Sequence, residues 1–388
     1  MRSEWMPTTW GELATLEYGK AIRDYQTPKA DFRVYGTNGP IGWYDTPLCH
    51  FPSVIVGRKG AYRGVHYSSK PFFVIDTAFY LKPKVKIDTK WAYYCLLTYD
   101  INGMDSGSAI PSTSRDEFYK LPVLLPSFEE QQAVASFLSL FDDRIDLLRQ
   151  TNATLESITQ ALFKSWFIDF DPVRAKAEGR EPEGMDADTA ALFPDSFEDS
   201  ALGEIPKGWN WARLSDLLEL LYGKALKATE RHPGSIPVYG SGGVTGFHNV
   251  SLVPHGSVIV GRKGTVGSLY WEDGPFYPID TTFYVRPKNV PLTYCYYAMQ
   301  RLGLETMNTD AAVPGLNRDN AYRLELIRPT EEIMGMFDGL ATSLRDAMSL
   351  NSAREKTLSD IRDTLLPRLV SGKLLLPEAE ALLNEALA

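Results

Sequence analysis

The chain has 388 residues, 44% hydrophobic, 23% charged and 12% aromatic, so it is too long for one ordinary core and too apolar to be disordered. Its three cysteines, Cys49, Cys95 and Cys295, lie far apart without CxxC spacing, which argues against a disulfide framework or structural zinc and for ordinary buried thiols. The N-terminus lacks a signal-peptide core and no run of about 18 apolar residues occurs, so the sequence predicts a cytoplasmic protein.

The net charge of −9 is unevenly distributed. Residues 8–126 hold 14 basic and 11 acidic residues, and residues 207–329 hold 13 and 10, so each block carries +3. The acid lies elsewhere, most densely in residues 169–206, with 11 acidic against 3 basic residues. It is local charge that attracts phosphate, so the overall acidity does not exclude DNA binding.

In chain order, residues 1–126 contain short β-branched and aromatic runs such as Ser53–Val56, Phe72–Ile75 and Phe79–Leu81, punctuated by Gly and Pro. They predict a β-rich globular domain with a few helices. Residues 127–170 predict one long helix, because Glu129 to Phe167 contains neither Gly nor Pro. Val134, Leu138, Phe141, Ile145, Leu148, Leu155, Leu162 and Trp166 follow an alternating 3-and-4 register, interrupted by Asn152 and Thr159. At 1.5 Å per residue such a helix is about 58 Å long, more than one turn of B-DNA, and could act as a spacer. Residues 171–208, acidic and rich in Ala, Gly and Pro, predict a solvated linker. A second globular domain over 209–329, a distal helix over 330–373 and a tail over 374–388 complete the chain. The distal register runs Phe337, Ala341, Leu344, Met348, Asn351, Leu358, Leu365 and Leu369.

The second half repeats the first. Tyr18-Gly19-Lys20 recurs as Tyr222-Gly223-Lys224, Val34-Tyr35-Gly36 as Val238-Tyr239-Gly240, and Val54–Gly60 unchanged as Val258–Gly264. Ile75-Asp76-Thr77 returns as Ile279-Asp280-Thr281, at the same offset of 204. Beyond a divergent stretch the offset shifts by one, and Arg115 matches Arg318. A period this long means a duplicated module with pseudo-twofold symmetry rather than a solenoid.

Catalytic motifs are not evident. There is no Gly-x-x-x-x-Gly-Lys-Ser/Thr phosphate loop, and Asp171-Pro172-Val173 is not the Asn/Asp-Pro-Pro-aromatic loop of adenine methyl transfer. The five histidines have no metal-ligand spacing, and none superposes on another between modules. Asp76 and Asp280 recur, but a lone carboxylate in a β-rich run reads as a structural acceptor rather than a general base.

Arg58-Lys59 and Arg262-Lys263, identical in both modules, should do one job twice. That job is phosphate contact or local DNA positioning, or they are solvated residues of a Gly-bounded turn. Arg115 and Arg318 precede each helix and fit phosphate contact or a bracing role equally. Sequence choice should lie in residues that differ, in the stretches holding Lys84, Lys86, Lys90, Asn102 and Ser106, and Asn289, Gln300, Asn308 and Asp310.

The paired frames around Val54–Gly60 and Val258–Gly264 resemble the target-recognition domains of the specificity subunits of type I restriction-modification enzymes. The junction Ala109–Arg115, Leu121-Pro122, Leu125-Pro126 and Glu129-Glu130-Gln131, and the segment Trp166–Val173, are also similar to that family. The second module departs from the pattern, with Glu331-Glu332-Ile333 lacking the Gln and Leu365-Leu366-Pro367 replacing the aromatics. The resemblance implies an α+β fold of two target-recognition domains, each followed by a long helix, the helices forming an antiparallel coiled coil. It implies a non-catalytic reader of a bipartite double-stranded DNA target, working with two modification subunits and a restriction subunit. S-adenosylmethionine, ATP and Mg would then sit on those partners, and this chain would bind no cofactor or metal. A duplicated protein-binding scaffold, or a nuclease or methyltransferase with an unrecognised active site, remain the alternatives.

Overall fold

The computed structural model describes residues 5–25, 30–104, 110–308 and 315–387. The chain forms two compact units, residues 1–148 with 354–388, and residues 149–353.

In the first unit an antiparallel four-stranded sheet has the order Ala14–Tyr18, Ala78–Pro83, Ser53–Gly57, Val65–Ser68. Its Ser53–Gly57 strand is buried throughout, as expected for an unbroken β-branched run covered on both faces. A three-stranded sheet follows, with Gly39–Tyr44 antiparallel and Phe72–Val74 parallel to Phe32–Gly36. The ribbon Met6–Thr9 with Pro122–Leu125 leads towards the long helix.

The second unit rebuilds the same sheets from Leu218–Tyr222, Thr282–Pro287, Ser257–Gly261 and Leu269–Glu272, and from Gly243–His248, Ile236–Gly240 and Tyr277–Pro278. Even the register irregularity repeats, between Val34 and Tyr35 in one and between Val238 and Tyr239 in the other. The sequence duplication is therefore a duplication of topology.

Two helices of 40 residues follow the modules, Phe128–Phe167 (the central helix) and Glu331–Val370 (the distal helix). Each crosses the division between the units. In the first unit Val134, Leu138 and Phe141 of the central helix share a core with Leu365, Leu366 and Leu369 of the distal helix and with Trp10 and Trp91 of the module. In the second unit Phe163 and Phe167 pack on Phe337, with ring centroids 5.5 and 5.4 Å apart. There the segments run antiparallel, since Phe163 faces Phe337, Glu156 reaches Arg345, and Asn152 accepts a hydrogen bond from Asn351 Nδ2 at 2.9 Å. The Asn152 that interrupts the apolar register is thus satisfied by a second polar interruption opposite.

Two stretches differ from expectation. The acidic residues 171–208 are not a bare solvated linker. They form helices Asp171–Ala177 and Ala187–Leu192 and the hairpin Phe197–Ser200 with Gly203–Pro206, and Val173, Phe193 and Ile205 are buried in the second unit's core. The tail holds a helix, Leu376–Leu387, whose Ala379 is buried in the first unit. In both, charge faces water while a few spaced apolar residues supply the anchor.

Candidate nucleic-acid interface

The repeated tripeptides, scattered in sequence, converge at one end of each four-stranded sheet. In the first module Tyr18 pairs with Phe79 and Gly57 with Ala78, so the ends of three strands meet. Past Gly57 the chain turns, and the N–H groups of Arg58 and Lys59 both donate to the Thr77 carbonyl, at 2.9 and 3.1 Å. Thr37 Oγ1 donates to the Lys59 and Thr77 carbonyls, at 2.8 and 2.6 Å. Gly19 lies so close to the turn after strand Phe72–Val74 that a Cβ there would fall 2.0 Å from the Ile75 carbonyl oxygen, so only glycine fits.

This frame aims two arginines at one ring. The Arg58 guanidinium lies 4.8 Å from the Tyr18 ring centroid and donates through Nη1 to the Asp76 carbonyl at 2.9 Å. Arg115 lies 4.5 Å from the same centroid. In the second module Arg262 and Arg318 each lie 4.9 Å from the Tyr222 ring, and Arg262 Nη1 donates to the Asp280 carbonyl at 2.9 Å. Tyr222, Arg262, Lys263, Asn317, Arg318 and the acidic Asp319 border a depression of about 290 Å³.

Chemically, each cluster holds two guanidinium groups together with donors an anion could take. Guanidinium groups carry five donors in a planar fork, and the Tyr ring and one carbonyl hold them while leaving donors unspent. Among the described residues none of these four arginines is paired with a carboxylate, so an arriving phosphate would relieve the repulsion between them. Lys59 differs, since it pairs with Asp76 at 3.4 Å. Asp76 therefore serves through both its backbone carbonyl and its carboxylate, and Asp280 through its backbone carbonyl.

The remaining residues singled out from sequence are dispersed. Lys84 and Lys86 follow Pro83, at the far end of the strand that begins with Ala78 beside Gly57, about 20 Å from Arg58 at 3.3 Å per residue. Lys84 donates to the Gly11 carbonyl at 2.6 Å, and Lys86 lies 4.1 Å from the Phe128 ring. Lys90 sits in the first turn of helix Thr89–Leu96, 4.7 Å from the Tyr67 ring and 3.9 Å from the Asp142 carboxylate, which occupies it internally. Asn308 Oδ1 accepts from the N–H of Gly315, which bridges to Lys263, at 2.9 Å, and Asn102 Oδ1 from the Arg63 N–H at 2.7 Å, so both amides are spent on backbone close to the basic turns. Asn289 occupies a left-handed position with φ of 54°, and half-buried Gln300 caps helix Leu292–Met299. Ser106 and Asp310 lie outside the described residues. Sequence reasoning quoted Tyr18 and Tyr222 as repeats but missed them as site residues, although identity in both modules was the signal.

Residues 2–157 and 206–327 match the family described as the type I restriction modification DNA specificity domain. The chain belongs to this family of specificity subunits. It is 28% identical over 331 residues to the HindI specificity subunit of Haemophilus influenzae, covering 68% of this chain and 71% of that one. Over 332 residues it is 26% identical to the MjaIX specificity subunit of Methanocaldococcus jannaschii, covering 76% of this chain and 71% of the other. The crystal structure of a type I restriction-modification S subunit from M. genitalium shares the fold, with a TM-score of 0.61 at 20% identity, covering 95% of this chain and 96% of that one. As a specificity subunit the chain recognises DNA sequence, leaves the chemistry to other components, and has restriction and modification subunits as its partners. Among the described residues no helix is long and apolar enough to cross a membrane.

Proposed function

We propose that each module reads one half of a bipartite double-stranded DNA target, with Arg58 and Arg115 in the first and Arg262 and Arg318 in the second gripping phosphate. The observation that carries this is the arginine–tyrosine–arginine cluster, built twice from the same residues at the same sheet end. A contact identical in both modules positions the protein on the backbone, which is alike at both half-sites, whereas base choice falls to residues that differ. Lys59 and Lys263 support the same grip. Asn308 supports it indirectly, through Gly315, which bridges to Lys263, and Lys84 and Lys86 contact DNA outside the cluster. Lys90 is withdrawn from the set of contacts because Asp142 and the aromatic rings occupy it.

In this reading the helices set the spacer between half-sites, two modification subunits methylate adenine in the two halves, and a restriction subunit adds ATP-dependent cleavage. S-adenosylmethionine, ATP and Mg are bound by those partners in the cytoplasm, and this chain binds none of them. The test is methylation sequencing of DNA from cells expressing the chain with its cognate modification subunit, and each alone. Methyladenine at one split motif, only when both are present, supports the reading. Soluble, associated subunits that leave no mark overturn it.

A further inference from the structure

Tyr62 is the most exposed aromatic side chain among the described residues, at 66%. A single exposed apolar group is ordinary on a protein surface, so exposure alone says nothing. Its setting does. The next residue, Arg63, is only 2% exposed, an unusual place for a guanidinium. Arg63 donates to the carbonyls of Gly60 at 3.1 Å, Asn102 at 2.5 Å and Ile101 at 3.4 Å, and no carboxylate pairs with it among the described residues. Its own N–H is taken by Asn102 Oδ1. The loop is closed at its base by Gly57 N–H donating to the Gly64 carbonyl at 2.8 Å, and at its side by Gly60 N–H donating to the Pro111 carbonyl at 3.0 Å. A buried cation thus clamps this loop, and Tyr62 is the large side chain the loop holds out to solvent, three residues from Lys59.

The second module treats the same positions differently. Val266 takes the place of Tyr62 and is buried at 8%, and Gly267 takes the place of Arg63, where a Cβ would fall 2.3 Å from the backbone of Leu304. One module presents an aromatic on a clamped loop at this point and the other presents none. Residues identical in both modules cannot distinguish two half-sites, whereas this one can.

We propose that Tyr62 is a base-contacting, specificity-determining residue of the first module, and that Arg63 is the positioning residue that holds its loop against the DNA. This rests on the reading of each module as a half-site reader. A tyrosine ring with few rotatable bonds, on a loop whose backbone is held before binding and three residues from Lys59, is suited to apolar contact with base edges such as the thymine methyl, and little backbone entropy is lost when it docks.

The experiment compares the wild-type chain with Tyr62→Ala and Tyr62→Phe, each expressed with the cognate modification subunit, by methylation sequencing together with thermal melting. Wild type should mark one split motif. Tyr62→Ala should melt at the wild-type temperature, lose about tenfold of the marking at that motif, and relax one position in one half only, the scale of a single lost base contact. Tyr62→Phe should mark as wild type does. An unchanged motif and rate in Tyr62→Ala overturns the proposal while leaving the half-site reading intact. So does a loss spread evenly over all sites with weaker association of the modification subunit, which would make Tyr62 a protein contact. A wild type without any mark overturns the half-site reading and this proposal together.

Discussion

Asp142 and Arg362, 220 residues apart in the chain, meet at 2.7 Å. The same carboxylate accepts a hydrogen bond from the buried Tyr94 hydroxyl at 2.5 Å and lies 3.9 Å from the Lys90 ammonium. One side chain thereby joins the central helix, the distal helix and the module of the first unit. The second unit has a counterpart, in which Tyr297 donates to Glu156 at 3.0 Å and Arg345 approaches Glu156 at 3.7 Å. In both units the acid stands on the central helix and the base on the distal one. Asp142→Ala should cost about 1–3 kcal/mol, because it leaves a half-buried guanidinium with Asp363 alone and a buried hydroxyl with only the longer bond to Ser139 Oγ at 3.3 Å. Tyr94→Phe, which removes the hydroxyl's bond to Asp142 and its longer one to Ser139, should cost about 1 kcal/mol. Urea midpoints at constant slope measure both, and an Asp142→Ala midpoint equal to wild type would remove the junction role.

Alkali should unfold the protein for a stated reason. Burial pushes the Cys295 thiol up to about 12, and burial followed by the Asp142 charge pushes the Tyr93 hydroxyl up to about 12. Both groups are neutral when protonated, and both are raised above their ordinary values of 9.0 and 10.0. The stability they contribute is fully present below those ordinary values and is lost as pH rises towards the folded ones. The melting temperature should therefore hold level from pH 7 to about 9 and fall from there to about 12. Burial also raises Cys49 and Cys95, so at pH 8 a thiol reagent should label the native protein slowly and the urea-unfolded protein at three sites.

Glycines make opposite predictions according to place. Gly19→Ala would drive a methyl into the Ile75 carbonyl, and Gly223→Ala would do the same at Ile279, where the gap is 2.2 Å. Each should cost about 3 kcal/mol and be visible as a large drop in melting temperature. Gly335 and Gly339 lie within the distal helix, where a Cβ would meet nothing within 4 Å. There Ala should stabilise by about 0.5–1 kcal/mol each, by restricting the unfolded chain.

How far sequence reached can be judged at particular residues. The two helices and the doubled sheet topology were readable, because apolar periodicity and identical heptapeptides such as Val54–Gly60 report directly on local structure. The missing Gln of the second module was noticed but not explicable. Gln131 is 1% exposed and links the Asp88 N–H, at 2.8 Å, to the Pro126 carbonyl, at 3.0 Å. In the second module the helix cap matching Asp88 is Pro291, which has no N–H to satisfy, and helix starts at Phe128 and Glu331 make buried Met334, not the Ile333 of the Glu-Glu alignment, the residue matching Gln131. Such a compensation between positions some 40 residues apart shows only in three dimensions. Residues 171–208 were misjudged because charge counting is blind to a few anchors such as Val173 and Phe193. Lys90 looked available because it lay in a divergent stretch, but the helix capped by Asp88 carries it to Asp142.

The phosphate role of the arginine clusters makes a quantitative prediction for the chain assembled with its modification subunit. Removing one phosphate contact lowers the dependence of log affinity on log salt by about 0.9 and weakens binding to all duplexes alike. Arg58→Met and Arg262→Met should each show that reduced slope with the recognised motif unchanged, and the double variant should show about twice the reduction, since the modules repeat one contact. Arg58→Lys should recover only part, because an ammonium keeps the charge but loses the planar stacking on Tyr18 and the fork that also reaches the Asp76 carbonyl. If Arg58→Met leaves the slope as it was, or changes the motif instead, Arg58 serves to brace the turn or to read a base, and the phosphate assignment fails.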